Sequence, residues 1–170
     1  IKVAAVGTDS EVKGFPLPSK EVNDIVKQRL FSRTARAAEV GARLVVWNEA
    51  STFIMPEEED AWKDSLSALS ERLKISLVAA FIVPLSESPV RYKNYYLFFD
   101  STGKLLYTYN KHQPVPGEPA VKGTEPLQVF DVSGVVTGAV ICYDYDFPYL
   151  AKGYGKLNAD LVADPSSDWR

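Results

Sequence analysis

Polar side chains that could carry out nucleophilic catalysis follow three apolar segments of this sequence. The only cysteine, Cys142, follows the run VVTGAVI, Glu49 closely follows RLVVW, and Lys111 directly follows LLYTYN. Glu118 lies beyond Lys111 in the turn-like segment VPGE. A cysteine attacks as its thiolate, which needs a nearby base or positive charge to form. Glu49 could serve as that base, and Lys111, held by Glu118, could supply the charge.

Each of these residues also has an ordinary structural explanation. A cysteine at the end of an apolar run is more often an inert member of the core, and single lysines and glutamates usually lie on the surface. The only histidine, His112, offers a second possible partner for Cys142. It lies in a proline-rich loop, where an imidazole more often bonds to the loop or to water. The residue types alone leave the choice between catalysis and packing open.

The composition narrows the possible classes of function. The chain has 170 residues, of which 46% are hydrophobic and 24% charged, as in a folded globular domain. One cysteine and one histidine exclude a disulfide framework and a multi-His or multi-Cys centre, so we expect no metal and no cofactor. A net charge of -3 gives no support for a nucleic-acid partner. No apolar run approaches the roughly 18 residues of a membrane-spanning helix.

The apolar periodicity predicts a mixed α/β domain in which helices pack on a partly antiparallel sheet. Ser19 suits the N-cap of a helix over 20–40, and Gly41 suits its end. The inner face of this helix is expected to carry Val22, Ile25, Val26 and Leu30. Pro56 and the acidic residues after it begin a second helix that runs to about residue 73.

The remaining segments predict strands, a long loop and one more helix. Strands are expected over 1–6, 43–47, 75–83, 93–100, 104–109, 127–132, 135–142 and 160–163. Residues 112–126 contain four prolines and two glycines and are expected to form an ordered loop. Asp146 suits the N-cap of a helix over 147–157, and Asp144 is expected to have a structural role, either capping that helix or bonding to loop amides. A strand covered on both faces is expected to bury the aromatic residues Tyr92, Tyr95, Tyr96, Phe98 and Phe99.

Three segments together resemble the signature blocks of the carbon–nitrogen hydrolase (nitrilase) superfamily: GARLVVWNEAS, YNKHQPVPGEP and GAVICYDYDFP. That superfamily carries a Glu-Lys-Cys triad in this chain order, and the matching residues here are Glu49, Lys111 and Cys142. A second glutamate recurs after the lysine in the family, and Glu118 matches it. The segment NADLVADPSSDW resembles the next block. The resemblance covers nearly the whole chain and implies an α-β-β-α sandwich with mixed sheets.

The resemblance also implies a role for each matching residue. Glu49 would take the thiol proton of Cys142 as the sulfur attacks a carbonyl or nitrile carbon. Lys111 and the backbone N–H of Tyr143 would stabilise the oxyanion, and Glu118 would orient Lys111 or assist the second half-reaction. The resulting thioester would pass to water in a hydrolase or to an amine in an acyltransferase. A thiol activated in this way is expected to react with iodoacetamide at neutral pH faster than an ordinary cysteine.

Within the superfamily, ICYDYDFP and PSSDW are most similar to the apolipoprotein N-acyltransferases, which act at the periplasmic face of the bacterial inner membrane. This likeness implies a phospholipid acyl donor and the N-terminal amine of a lipoprotein as acceptor. The first alternative is a soluble amidase or nitrilase that hydrolyses a small amide or nitrile. Such an enzyme would be expected in the cytoplasm and as a homodimer. A catalytically silent domain that binds a partner is the second.

The length bears on how much of such a domain the chain contains. Nitrilase-type domains have about 250 residues. We therefore expect residues 1–170 to form a single carbon–nitrogen hydrolase domain that amounts to roughly its first two-thirds. On that expectation, all residues of the triad are present, and an apolar sheet face would be exposed if the chain ended there.

Overall fold

The computed structural model describes residues 1–8 and 16–167. Its elements are β1 (Val3–Val6), α1 (Lys20–Glu39), β2 (Leu44–Trp47), a 3₁₀ turn (Pro56–Glu58), α2 (Glu59–Leu73), β3 (Ser76–Glu87), β4 (Val90–Phe99), β5 (Leu105–Asn110), β6 (Phe130–Val132), β7 (Val135–Ala139), a second 3₁₀ turn (Cys142–Asp146), α3 (Pro148–Lys156) and β8 (Leu161–Ala163). The predicted loop after β1 and the end of the PSSDW segment lie partly outside the described residues. No helix in the described ranges is long and apolar enough to cross a membrane.

The strands form two sheets that pack face to face. The larger sheet has the order β1-β2-β3-β4-β5, in which β1, β2 and β3 are parallel and β4 pairs antiparallel with both β3 and β5. The smaller sheet has the order β6-β7-β8 and is also mixed. One cluster of buried residues lies between the larger sheet and the helices α1 and α2, and a second lies between the two sheets. The predicted mixed α/β architecture is confirmed.

Alternation of side chains along β3 and β4 produces these two cores, because successive residues of a strand point to opposite faces. The helix-side core receives Leu77, Ala79, Phe81, Tyr95, Leu97 and Phe99. The core between the sheets receives Val78, Ala80, Tyr96 and Phe98. The larger sheet is therefore buried on both faces, which accounts for the nearly continuous apolar runs of its central strands.

Helix α1 begins where the sequence indicates, and Val26 and Leu30 are buried as predicted, but the rest of its inner face differs from the prediction. Ser19 caps it by accepting a hydrogen bond from the Val22 N–H at 3.4 Å. Val22 and Ile25 are about half exposed, at 47% and 49%, so their predicted place in the core is wrong. Asn23 occupies the inner position instead and donates to the Phe53 carbonyl oxygen at 2.8 Å. Apolar periodicity cannot detect this contact, because the buried residue is polar.

The end of β7 also differs from the prediction. The strand ends at Ala139, so Cys142 lies not on the strand but at the start of the 3₁₀ turn that follows it. The predicted N-cap at Asp146 is wrong as well. Phe147 precedes α3 and makes no capping hydrogen bond with its side chain. Asp146 is exposed, whereas Asp144 is completely buried in the turn.

Candidate active site

Glu49 lies on the loop that follows β2, and its side chain is only 8% exposed. Two hydrogen bonds hold this loop against its neighbours. The hydroxyl of Ser51 donates to the Ala80 carbonyl oxygen of β3 at 2.6 Å, and the hydroxyl of Thr52 donates to Asn23 Oδ1 of α1 at 2.6 Å. The loop that carries the carboxylate is therefore tied both to the sheet and to a helix.

Lys111 follows β5 and lies between two carboxylates in the interior. Its Nζ is 2.7 Å from Glu49 Oε1 and 2.9 Å from Glu118 Oε2, and its side chain is 2% exposed. Burial alone would lower the pKa of Lys111, but the charges and hydrogen bonds of the two glutamates outweigh it and hold the pKa above its ordinary value. Lys111 is therefore a permanent cation in this cluster.

Glu118 is held by groups from its own loop and from β4. Its Oε2 accepts a hydrogen bond from the Val115 N–H at 2.9 Å, and its Oε1 accepts one from Asn94 Nδ2 at 2.9 Å. The hydroxyl of Tyr92 donates to Oε1 at 3.5 Å. Tyr92 is only half buried, so its predicted place in the core is wrong. The other four aromatic residues of that prediction are buried, as expected.

Cys142 adopts an unusual backbone conformation at the start of its turn. Its φ angle is +49°, in the left-handed region that costs a residue with a side chain about 1–3 kcal/mol. Its N–H donates to Asp164 Oδ1, directly after β8, at 2.6 Å. Because β7 and β8 are parallel neighbours, their carboxyl ends bring Cys142 and Asp164 together. Such a conformation at a nucleophilic side chain is typical of a functional site.

The protein environment keeps the Cys142 thiol protonated. Burial is the largest cause, and the negative charge of Glu49 adds to it, so that the pKa of Cys142 rises to about 11. Lys111 acts in the opposite direction but does not compensate. The raised pKa of Cys142 predicts slow alkylation at neutral pH, whereas the sequence led us to expect fast alkylation because it placed a lysine near the thiol. A thiol of this kind becomes a nucleophile when a base takes its proton during the attack.

His112 is not the partner of Cys142. Its ring stacks on Tyr109 with the centroids 4.5 Å apart, and its Nε2 is 3.6 Å from Glu125 Oε2. The charged side chains that act on the thiol are those of Glu49 and Lys111. Of the two possible partners that the sequence leaves open, the structure brings Glu49 to the cysteine.

Asp144 joins the turn of Cys142 to the end of β5. Its carboxylate accepts hydrogen bonds from the hydroxyl of Tyr109 at 2.9 Å and from the N–H groups of Gln113 at 2.6 Å, His112 at 3.3 Å and Ile141 at 3.2 Å. Of the two structural roles expected for Asp144, the structure shows the bonding to loop amides. Through this carboxylate, the segment that carries Lys111 and the turn that carries Cys142 are fixed to one another.

The turn also determines which backbone amide can face a substrate oxygen. The Cys142 N–H is occupied by Asp164. Within the described residues, the Tyr143 N–H has no hydrogen-bond acceptor. The latter amide can therefore stabilise negative charge on a substrate oxygen beside the Lys111 ammonium. Among residues 1–8 and 16–167, no group of three or more His, Cys, Asp or Glu residues could hold a metal ion.

Two further residues contact this site and were not predicted from the sequence, Asn94 and Asp164. Asn94 is 2% exposed and donates to both glutamates, at 2.8 Å to Glu49 Oε1 and 2.9 Å to Glu118 Oε1. A polar residue directly before the apolar run of β4, from Tyr95 to Phe99, is the signal that could have indicated it. Asp164 follows a short apolar strand, just as Glu49 does, and the same criterion could have found it.

Comparison with known proteins identifies the family. Residues 2–169 match the family model of the carbon–nitrogen hydrolases, so the chain belongs to that family. It is 26% identical to nitrilase homolog 2 of Dictyostelium discoideum over 159 residues, which cover 82% of this chain and 48% of the relative.

Solved structures of an amidase have the same fold. The chain resembles the NitN amidase of Nesterenkonia sp. AN1 with 25% identity and a TM-score of 0.69, covering 85% of this chain and 61% of the amidase. A Glu-to-Gln mutant of that amidase, with acrylamide added to its active-site cysteine, matches with 25% identity and a TM-score of 0.71 over the same shares. The chain thus spans about half the length of the curated relative and 61% of the amidase structures.

Proposed function

We propose that this protein is a thiol amidase that hydrolyses small amides through an acyl-enzyme at Cys142. The buried cluster of Glu49, Lys111 and Glu118 beside the thiol carries the proposal. Burying three charged groups is expensive, and well-packed apolar residues in their place would often stabilise a fold as well or better. Buried ionisable groups gathered beside a nucleophile are concentrated at functional sites. The amidase and nitrilase relatives supply the substrate class.

Each group has a defined task in the first half-reaction. Glu49 takes the thiol proton while the sulfur of Cys142 attacks the amide carbon, since the raised pKa of the thiol leaves almost no thiolate beforehand. The carbonyl oxygen becomes an oxyanion that accepts hydrogen bonds from Lys111 Nζ and the Tyr143 N–H. The C–N bond then breaks, and the nitrogen leaves as ammonia with the proton that Glu49 returns. The product is a thioester on Cys142.

The second half-reaction releases the acid. Water attacks the thioester carbon while a carboxylate accepts one of its protons, and the C–S bond breaks as the sulfur recovers a proton. Glu49 is the base for this step, and Glu118 keeps Lys111 aligned with the oxyanion through its 2.9 Å hydrogen bond. The carboxylic acid then leaves, which restores the resting thiol.

Transfer of the acyl group to an amine would use the same thioester. The likeness of ICYDYDFP to the apolipoprotein N-acyltransferases favours this outcome, with a phospholipid as donor. The relatives that match the chain favour hydrolysis of an amide instead. Whether the protein hydrolyses the thioester or transfers its acyl group depends on which acceptor reaches it. The triad is the same in both cases, so an experiment must distinguish them.

The proposed function is tested by measuring the release of ammonia and the mass of the intact protein. Incubation with propionamide is expected to release ammonia and, after rapid acid quenching, to leave a propionyl group on Cys142. Cys142→Ala is expected to abolish both signals, and Glu58→Gln, which changes a surface carboxylate paired with Lys27, is expected to leave both intact. Product formed only with an added amine or phospholipid would replace the amidase with an acyltransferase. A thiol that accepts no acyl group from any donor would support the silent binding domain.

A further inference from the structure

Asn94 on β4 contacts three parts of the charged cluster. Its side-chain nitrogen donates to Glu49 Oε1 at 2.8 Å and to Glu118 Oε1 at 2.9 Å. Its backbone oxygen accepts a hydrogen bond from the Lys111 N–H at 2.8 Å. No other side chain in the described part of the structure donates to both glutamates except Lys111.

The supply of donors in this cluster is limited. The amide nitrogen of Asn94 carries two N–H groups, and both are used by the glutamates. Lys111 Nζ carries three, of which two are used by the same carboxylates. On Glu49, both Asn94 and Lys111 donate to Oε1. This leaves Oε2 of Glu49 for the thiol proton and one N–H of Lys111 for a substrate oxygen.

We propose that Asn94 is a positioning residue of this site. It holds Glu49 and Glu118 in the orientation that reserves one oxygen for Cys142 and one ammonium hydrogen for the oxyanion. The proposal rests on the proposed function, since it assigns a part in the same chemistry. Asn94 touches neither the substrate nor the reacting atoms, so it acts through Glu49, Glu118 and Lys111.

Packing alone does not account for an asparagine at this position. Asn94 is 2% exposed, and its Oδ1 has no hydrogen-bond partner among the described residues. Leaving a buried polar atom unsatisfied costs about 1–3 kcal/mol. An apolar residue would avoid this cost and would continue the run of aromatic and aliphatic side chains that follows on β4, from Tyr95 to Phe99. The two donated hydrogen bonds are therefore the reason for the amide.

The isosteric change Asn94→Asp removes both donors and adds a third carboxyl group. We expect kcat for propionamide to fall by about ten- to hundredfold, as for the loss of a hydrogen bond to a charged group. KM is expected to change little, because Asn94 does not touch the substrate. A third carboxyl group makes it harder for all three to stay charged, so the acid side of the pH–rate profile is expected to move to higher pH. Asn94→Ala is expected to lower kcat without that movement.

Thr34→Val provides a matched control for a loss of stability. Thr34 is a buried side chain on α1 that accepts a hydrogen bond from Trp47 Nε1 at 2.9 Å, in the core on the helix side of the sheet. Thr34→Val is expected to lower Tm about as much as Asn94→Asp does and to leave kcat and the pH–rate profile unchanged. If Asn94→Asp lowers Tm but leaves kcat and the pH profile as in the unmodified protein, the positioning role is refuted.

Alkylation of the single thiol separates this proposal from the proposed function. If the unmodified protein hydrolyses no amide, the proposed function fails. The positioning role of Asn94 is then tested by the rate at which iodoacetamide reacts with Cys142 at about pH 8.5. Asn94→Asp is expected to react at least about threefold more slowly, because added negative charge near the thiol disfavours the thiolate. Thr34→Val is expected to react at the unmodified rate. Equal rates in all three proteins would overturn the proposal.

Discussion

Replacing Glu49 with glutamine is expected to change the two activities of Cys142 in opposite directions. Glutamine keeps the size of the side chain and removes its charge. The pKa of Cys142 is about 11, raised first by burial and next by the charge of Glu49, while Lys111 lowers it. The variant therefore forms more thiolate and reacts faster with an alkylating agent. It also lacks the base that takes the thiol proton during attack on an amide, so its turnover falls.

The magnitudes follow from the pKa of the thiol. At pH 8 a thiol with a pKa of about 11 is roughly one part in a thousand thiolate. Burial is the largest cause and persists in the variant, so only part of the rise is reversed. Reversal by half to one pKa unit speeds alkylation about three- to tenfold. Loss of a general base lowers turnover by about 10²- to 10⁴-fold.

The assay is direct because the chain contains one cysteine. Intact-protein mass spectrometry follows iodoacetamide addition between about pH 7 and 9, and ammonia release follows hydrolysis of propionamide. Glu58→Gln is the matched control, since Glu58 pairs with Lys27 at 3.3 Å on the surface. Slower alkylation of Glu49→Gln would refute the electrostatic reasoning. Undiminished turnover would refute the role of Glu49 as the base.

Three further changes test the packing and charge of the site. Lys111→Met is expected to destabilise the protein by about 3–5 kcal/mol in urea unfolding, because it leaves two buried carboxylates without their shared cation. Gly138→Ala is expected to cost about 1–3 kcal/mol, measured as a lower Tm, because its Cβ would lie 2.2 Å from the Tyr154 ring. Partial burial raises the pKa of Asp164 from 3.8 to about 6, so its stabilising contribution is present in full below about pH 4 and is lost as the pH rises through 6. Asp164→Asn is therefore expected to flatten the dependence of Tm on pH in that range.

Matched variants control these three predictions. Lys63→Met removes a more exposed lysine that pairs with Glu59 at 3.0 Å, and it is expected to cost less than about 1 kcal/mol. Gly155→Ala lies on α3 with no atom within 4 Å of the added carbon, and it is expected to stabilise the helix slightly. Equal losses from Lys63→Met and Lys111→Met, or from Gly155→Ala and Gly138→Ala, would contradict the reasoning. The reasoning on Asp164 would also be contradicted if Tm depended on pH in the same way in Asp164→Asn and in the unmodified protein.

Most elements of the fold could be predicted from the sequence, because their signals are local. The N-cap at Ser19, the apolar run before Trp47 and the hairpin around Gly103 depend on residues next to one another, and each lies where expected. The errors arose where a distant contact overrode the local pattern. Asn23 lies on the inner face of α1, where its side-chain amide donates to the Phe53 carbonyl oxygen in the loop after β2, and Val22 and Ile25 are exposed instead.

By itself, the sequence determined the order of the reactive groups and the elements that precede them. Apolar runs end just before Glu49, Lys111 and Cys142. Because these runs form strands, each of the three residues lies just beyond the end of a strand. The motifs around them were sufficient to identify the superfamily. These features were readable because secondary structure and sequence motifs are both encoded over a few neighbouring residues.

Only the tertiary structure decided which groups meet. Glu49 and Lys111 are 62 positions apart, and Glu49 and Asn94 are 45 apart, so their hydrogen bonds depend on sheet order and register rather than on local pattern. The protonation of Cys142 was likewise decided by the fold, because burial and the approach of Glu49 raise its pKa further than Lys111 lowers it. Distances and dielectric surroundings set these electrostatic balances, and a linear sequence contains neither.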